Sequence, residues 1–129
     1  MADIKQVILI RKDLKMRRGK EIAQGSHASS EFLIKKLRST QEGAVAMLRL
    51  RKPEVEWIQK GMAKVCLKVN SEEELLQCHE RAKEAGLSSH LIRDSGRTEF
   101  GGVPTYTACA IGPELSKNID HITGHLQLY

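Results

Sequence analysis

The sequence lacks the features of a membrane or secreted protein. No stretch approaches about 18 consecutive apolar residues, and the N-terminus has no apolar core of a secretory signal. The three cysteines, Cys66, Cys78 and Cys109, are widely spaced and form no Cys-x-x-Cys pair. A disulfide framework or a zinc knuckle needs closer, paired cysteines. We therefore expect a cytosolic protein without a membrane segment, whose cysteines are reduced packing residues.

Motifs for bound metals and nucleotides are also missing. His121 and His125 are four residues apart, but neither a His-Glu-x-x-His pattern nor another cluster of ligands accompanies them. The segment Leu14–Glu21 lacks the first glycine and the Ser or Thr of a Walker loop. One glycine in this connection is also too few for a dinucleotide fingerprint. The sequence thus predicts neither a metal nor a cofactor.

The chain carries a net charge of +5, and its positive charge is concentrated in the first half. Residues 1–60 hold fourteen Lys or Arg against seven Asp or Glu, whereas residues 61–129 hold seven against nine. The densest group comprises Arg11, Lys12, Lys15, Arg17, Arg18 and Lys20. Such a density suits a polyanion such as an RNA backbone, and a loop that only promotes solubility is equally compatible with it.

Apolar patterning predicts four strands and four helices. Short β-rich or alternating runs place the strands at Val7–Ile10, Ala63–Val69, His90–Arg93 and Tyr106–Ile111. Helical periodicity and end signals place the helices at about Lys20–Leu37, Ala44–Arg51 resuming after Pro53 to Lys60, from a Ser71 cap to about Ala85, and from Ser116 to before Gly124. In the first helix, Ile22, Leu33 and Leu37 are expected to face the core.

The order of these elements predicts the fold class. Two helical crossovers generate parallel strands with helices covering the sheet faces. Residues 94–105 are too few for another helical crossover, so the fourth strand is expected to run antiparallel. The 129 residues suffice for one domain with a real core. We expect a single-domain α/β protein over residues 1–129, a three-layer helix-sheet-helix sandwich with a mixed four-stranded sheet.

A polar stripe runs along the start of the first predicted helix, in the segment "GKEIAQGSHASSE". Lys20, Gln24, His27 and Glu31 fall at i, i+4, i+7 and i+11, which places them on one helix face. Small residues occupy much of the opposite side, which favours close packing against another backbone. A polar stripe of this kind is typical of a solvated face.

Topology offers a second interpretation of this stripe. Ligands of open sheets gather outside the carboxyl ends of parallel strands. The first predicted strand ends in the basic loop before Lys20, and the third ends in "RDSGRTEFGG". Lys20 and His27 are therefore expected near Asp94, Arg97 and Thr98. A cap of the glycine turn and a catalytic role are both open for Asp94.

Six sequence blocks together resemble the peptidyl-tRNA hydrolase type 2 family. They are "RKDLKM" (Arg11–Met16), "GK" (Gly19–Lys20), "AQGSHA" (Ala23–Ala28), "DSGRT" (Asp94–Thr98), "AIGP" (Ala110–Pro113) and "TGHLQLY" (Thr123–Tyr129). Their order and spacing match the family over nearly the whole chain, apart from about Ser39 to Met62.

The resemblance implies hydrolysis of the ester that joins a peptide to the terminal ribose of tRNA. It also implies a mixed four-stranded sheet and commonly a homodimer. The family's catalytic positions match Lys20, His27, Asp94 and Thr98. We further expect contacts to tRNA from Arg11, Lys12, Lys15, Arg17, Arg18, Gln24 and Arg97. The alternative is a non-catalytic tRNA-binding or translation-associated protein on the same fold.

Roles for the catalytic positions follow from their chemistry. Asp94, oriented by Thr98, is expected to position or deprotonate the attacking water. Lys20 would stabilise the developing oxyanion or an adjacent phosphate. Protonation of the ribose leaving oxygen and orientation of tRNA are both open for His27.

Four positions depart from the family's pattern. Arg17 and Arg18 replace the first glycine and lysine of the usual Met-Gly-Lys-Gly-Lys loop. Gly25 stands where cysteine or a small aliphatic residue is common. Glu99 replaces the usual glutamine, and its carboxylate is expected to repel a phosphate or to pair with Arg97 or Lys20.

Overall fold

The apolar run Val7–Ile10 lies at the centre of the first strand and is buried on both faces. The computed structural model describes residues 3–97 and 99–129. A short 3-10 turn at Phe100–Gly102 follows the third strand. The regular elements in chain order are β1 Ile4–Arg11, α1 Arg18–Thr40, α2 Lys52–Gln59, β2 Lys64–Val69, α3 Glu72–Glu84, β3 Ser89–Asp94, β4 Thr105–Leu115 and α4 Ser116–Thr123.

The described residues form one mixed sheet in the strand order β2-β1-β4-β3. β1 pairs in parallel with β2, and β4 runs antiparallel to both β1 and β3. Alternate residues of β1 therefore face two separate cores. Val7 and Leu9 pack in the core that contains residues of α3 and α4, while Ile8 and Ile10 pack with Ala28 of α1. The predicted three-layer architecture and the antiparallel fourth strand are confirmed.

The inward face of α1 differs from the prediction. Ile22 is 64% exposed, and Leu33 and Leu37 are only half-buried. Gln24, Ala28, Glu31 and Phe32 are the buried residues instead. The prediction for Ile22 was wrong because polar residues of α1 find partners on the sheet, and this rotates Ile22 away from the core.

The connection between α1 and α2, which the structure describes in full, contains no helix. The predicted helix over Ala44–Arg51 was wrong, because the chain there makes an isolated bridge between Glu42 and Val45. The Thr40 hydroxyl also donates to the Met47 carbonyl at 2.7 Å and accepts from its amide at 3.1 Å. The helix predicted after Pro53 is confirmed as α2. Pro53 lies in the first turn of α2, where no backbone donor is needed.

The C-terminal residues pair with the outer edge of β2. Lys68 donates its amide to the Gln127 carbonyl at 3.0 Å, and Tyr129 donates to the Cys66 carbonyl at 3.1 Å. Cys78 and Cys109 are buried free thiols, as expected for packing residues, whereas Cys66 is exposed. Among residues 3–97 and 99–129, no helix has the length and apolar character needed to span a membrane.

Candidate active site

The carboxyl ends of β1 and β3 meet at one edge of the sheet, because both strands run in the same direction on either side of β4. α1 starts at this edge and packs across β1, β4 and β3. The Lys20 Nζ consequently lies 2.8 Å from the Asp94 Oδ1, although the two residues are 74 positions apart in sequence. Only 16% of the Lys20 side chain and 12% of the Asp94 side chain are exposed. The predicted approach of Lys20 to Asp94 is confirmed.

Three donors converge on the Asp94 carboxylate. Besides Lys20, the Gln24 Nε2 donates to Oδ1 at 3.4 Å and the Gly96 amide donates to Oδ2 at 2.8 Å. The hydrogen bond from Lys20 is the main cause that lowers the pKa of Asp94 below its ordinary value, with Gly96 and Gln24 adding to it against the effect of burial. Asp94 thus caps the glycine turn and holds Lys20 at the same time, as a carboxylate ionised at neutral pH.

Gln24 links this pair to the interior of the sheet. It is buried, and its Oε1 accepts a hydrogen bond from the Thr107 hydroxyl on β4. Both ends of the Gln24 amide thus make hydrogen bonds inside the protein. Sequence reasoning missed Thr107, for which the only signal is a hydroxyl at a buried position of an otherwise mostly apolar strand.

The loop after β3 closes over the pair. Gly96 has a φ of +81°, and a Cβ there would collide with the Val103 carbonyl, so only glycine fits. Phe100 has a φ of +64°, a conformation that costs a bulky residue roughly 1–3 kcal/mol. The Lys20 Nζ lies 6.0 Å from the centre of the Phe100 ring. Thr98, expected here as a catalytic residue, lies outside the described residues.

The predicted RNA contacts divide into two groups. Most are exposed, namely Lys12, Lys15, Arg17, Arg18 and Arg97. Arg11 differs, because only 8% of it is exposed. Its guanidinium donates to the Tyr106 carbonyl at 3.0 Å and to the Asp13 carboxylate at 2.6 Å, a contact that lowers the pKa of Asp13. Arg11 thus anchors the loop between β1 and α1.

His27 lies further along α1 than the Lys20–Asp94 pair. Its side chain is 56% exposed, and its Nε2 is 3.4 Å from the Glu31 Oε2, one helical turn away. Glu31 is itself buried. The described residues include no group of three His, Cys, Asp or Glu side chains placed to hold a metal ion. The Lys20–Asp94 pair offers a cation that can stabilise a developing oxyanion and an ionised carboxylate that orients this cation.

A comparison with known families matches residues 4–129 to the one described as "Peptidyl-tRNA hydrolase PTH2". The chain belongs to this PTH2 family. It is 47% identical to the peptidyl-tRNA hydrolase of Methanopyrus kandleri over 96% of this chain and 97% of the relative. It is 42% identical to the peptidyl-tRNA hydrolase of Methanocaldococcus jannaschii, covering 97% and 99% of the two chains.

A solved structure supports the fold. An Agrobacterium protein described as of unknown function superimposes with a TM-score of 0.61, covering 100% of this chain and 99% of that one. The sequences are 16% identical, so this likeness concerns the fold alone.

Arg17 and Glu99, two of the four residues that the sequence analysis identified as departures, lie against each other. The Arg17 Nη2 and Nε are 3.1 Å and 3.2 Å from one oxygen of Glu99. A third departure, Gly25, has no comparable partner. A Cβ at Gly25 would meet the Ile10 and Ile8 side chains at 3.7 Å and 3.8 Å, an ordinary packing distance. Nothing in the structure explains why this position is glycine.

The lowered pKa of Asp94 predicts an acid-sensitive contribution to stability in this PTH2 protein. The contribution should be complete above the unfolded pKa of about 3.9 and should disappear as the pH falls through the lower pKa of the folded state. Urea unfolding of the wild type and Asp94→Asn should therefore give different free energies at neutral pH that converge in acid. A difference that stayed constant down to the acid limit would contradict an ionised Asp94 as the source.

Proposed function

We propose that the chain hydrolyses the ester between peptide and tRNA in peptidyl-tRNA, and that Lys20 and Asp94 are its chemical centre. The observation that carries this proposal is the 2.8 Å contact of Lys20 with Asp94 at the edge where β1 and β3 end. Exposed cations surround this edge, in keeping with a polyanionic substrate. Peptidyl-tRNA is a product of translation, so the proposed place of action is the cytoplasm.

The chemistry divides between the two residues. Water adds to the ester carbonyl, negative charge develops on the carbonyl oxygen, and the C–O bond to the ribose then breaks. The proton that the water gives up passes to the departing ribose oxygen, so the products are the free peptide and tRNA. Lys20 stabilises the oxyanion as a fixed cation in a site that largely excludes water. Asp94 is a weak base because its pKa is lowered, so its role is to orient Lys20 and the attacking water. Gln24 and Thr107 position Asp94 from the side of the sheet.

The remaining predicted residues keep supporting roles in the proposal. Thr98 follows Asp94 by four residues and stays a prediction as the residue that orients water. His27 is seven residues after Lys20, about 10 Å along the helix axis, so we assign it to the orientation of tRNA. Arg11 and Gln24 are left out of the RNA contacts because both are buried and bonded within the protein. Phosphates are assigned to the exposed group, Lys12, Lys15, Arg17, Arg18 and Arg97.

A cleavage assay with peptidyl-tRNA, run beside tRNA-binding measurements, tests this function. The expected result is release of free tRNA by the wild-type protein without added metal or cofactor. Binding of tRNA without cleavage would instead support the alternative, a tRNA-binding protein on the same fold. Preferential cleavage of small free esters would point to a different hydrolase.

We propose that a second copy of the chain covers an apolar groove on the side of α1 that faces β2. The groove has a volume of about 740 Å³ and lies between α1 and β2. Its lining includes Ile22, Met62 and Tyr129, each at least 43% exposed. A hydrogen bond with Glu21 raises the pKa of Tyr129 to about 12, so this rim residue stays neutral. Covering these apolar side chains would stabilise a homodimer.

Replacing Ile22 by glutamate is expected to convert the dimer into a monomer, because a charge would be buried in the interface. Light scattering coupled to size exclusion measures the mass directly. Val45→Glu is the matched control, since Val45 is 68% exposed and lies outside the groove lining. A monomeric wild type at tens of micromolar, or a dimeric Ile22→Glu, would overturn the assignment of this groove to a second copy.

A further inference from the structure

An ion pair joins the start of α1 to the loop that covers the site. Arg17 precedes α1, and two of its guanidinium nitrogens lie 3.1 Å and 3.2 Å from the same Glu99 oxygen. The Arg17 side chain is 83% exposed, whereas only 18% of the Glu99 side chain is exposed. The cation is therefore at the surface, and its partner carboxylate is held in the loop beneath it.

The geometry of this contact is the one that a phosphate would use. A guanidinium presents paired N–H donors to carboxylate and phosphate oxygens alike. Glu99 supplies such an oxygen and offsets part of the charge of Arg17 before any substrate arrives. An RNA phosphate at Arg17 must then displace this carboxylate or share its donors. Glu99 also lies next to Phe100, whose ring covers Lys20, so the exchange takes place beside the chemical centre.

We infer that Glu99 is an internal competitor for a substrate phosphate at Arg17 and thereby sets the affinity of the protein for tRNA. The inference rests on the proposed function, because it takes RNA as the ligand. Arg17 and Glu99 form an ion pair, so the net charge that the two residues together present to the RNA is close to zero. A phosphate that binds at Arg17 exchanges one ion pair for another, and few of the cations condensed on the RNA are released. Arg17 consequently contributes little to the salt dependence of binding while it is paired with Glu99.

Glu99→Gln tests this inference with deacylated tRNA as the probe. The amide keeps the shape of the side chain and removes the charge that competes. We expect tRNA affinity to rise about two- to fivefold at low salt, the range of partly exposed ion pairs. The plot of log affinity against log salt should steepen by about 0.7 to 0.9, the contribution of one further phosphate contact. Glu99→Ala should give the same steepening.

Two further variants distinguish competition between Glu99 and a phosphate for Arg17 from direct repulsion between Glu99 and the RNA. In the Arg17→Gln background, adding Glu99→Gln should leave the slope unchanged, because no cation is freed. Glu42→Gln removes the same charge at the far end of α1, about 34 Å away, and should change neither affinity nor slope.

An unchanged slope in Glu99→Gln would overturn the inference. An equal gain in affinity with and without Arg17 would overturn it too, since that result indicates local repulsion. Both outcomes leave the proposed function standing if the wild type cleaves peptidyl-tRNA. A wild type that binds no tRNA would overturn the inference and the proposed function together.

Discussion

Replacing Lys20 by methionine is expected to lower kcat for peptidyl-tRNA hydrolysis by about 10²- to 10³-fold, the usual effect of losing one oxyanion donor. Methionine keeps the length and the apolar stem of lysine but removes the ammonium. The Asp94 carboxylate would retain the Gly96 amide and Gln24 as donors, so the glycine turn should persist. The measurement is single-turnover cleavage of peptidyl-tRNA, which isolates the chemical step from release of product.

Lys35→Met is the matched control for Lys20→Met. Lys35 is an exposed lysine on the same helix, outside the proposed site, and its loss removes the same charge. Its rate should stay within about twofold of wild type, in keeping with a surface substitution away from the site. A Lys20→Met protein that is folded and cleaves at the wild-type rate would remove Lys20 from the chemistry, while family membership would stand.

Replacing Arg51 by methionine is expected to lower the free energy of unfolding by about 3 kcal/mol. The Arg51 Nε is 3.3 Å from Glu54, and its Nη1 is 3.0 Å from Glu114. Both carboxylates are buried, and only 1% of Glu54 is exposed. Removing one partner of a buried ion pair typically costs about 3–5 kcal/mol, because a charge is left without compensation. The lower end applies because the Arg51 side chain is itself 41% exposed, Lys36 still pairs with Glu54 and the Ser88 amide still donates to Glu114.

Urea unfolding of Arg51→Met beside Arg49→Met measures this effect. Arg49 is an exposed arginine of the same connection, so its replacement should change the free energy of unfolding by less than about 0.5 kcal/mol. Equal stability of the two variants would show that the pairing of Arg51 with Glu54 and Glu114 makes no net contribution. A lower free energy of unfolding in Arg51→Met alone would show that the ion pairs of Arg51 hold the α1–α2 connection against the sheet.

Local signals in the sequence were sufficient for most regular elements. The Ser71 hydroxyl accepts from the Glu74 amide at the start of α3, as the spacing of the two residues predicts. Gly86 follows that helix with a φ of +77°, and α4 begins and ends as expected. These signals act within a few residues of each other, so they can be read without knowledge of distant contacts.

The errors lie where distant contacts outweigh local preference. Ala44–Arg51 has helical periodicity, but Arg51 binds Glu114 on β4 and Thr40 binds Met47, and these contacts hold the segment in a non-helical conformation. Gln24 lies on a polar stripe and is predicted to contact tRNA, but it is buried, because Thr107 on β4 and Asp94 on β3 satisfy its amide. A polar side chain can be buried without a large penalty only when such partners exist, and periodicity does not record them.

The sequence by itself determined the family, the mixed α/β sheet and the approach of Lys20 to Asp94, because strand order and strand direction dictate which loops share an edge. Only the tertiary structure decided which charges are available to a substrate. Arg11 and Arg17 are both arginines of one basic loop, yet Arg11 is buried against Asp13, while Arg17 is exposed and paired with Glu99. The difference depends on carboxylates and carbonyls that the fold brings near, and a side chain's charge acts on a ligand only where those neighbours leave it uncompensated.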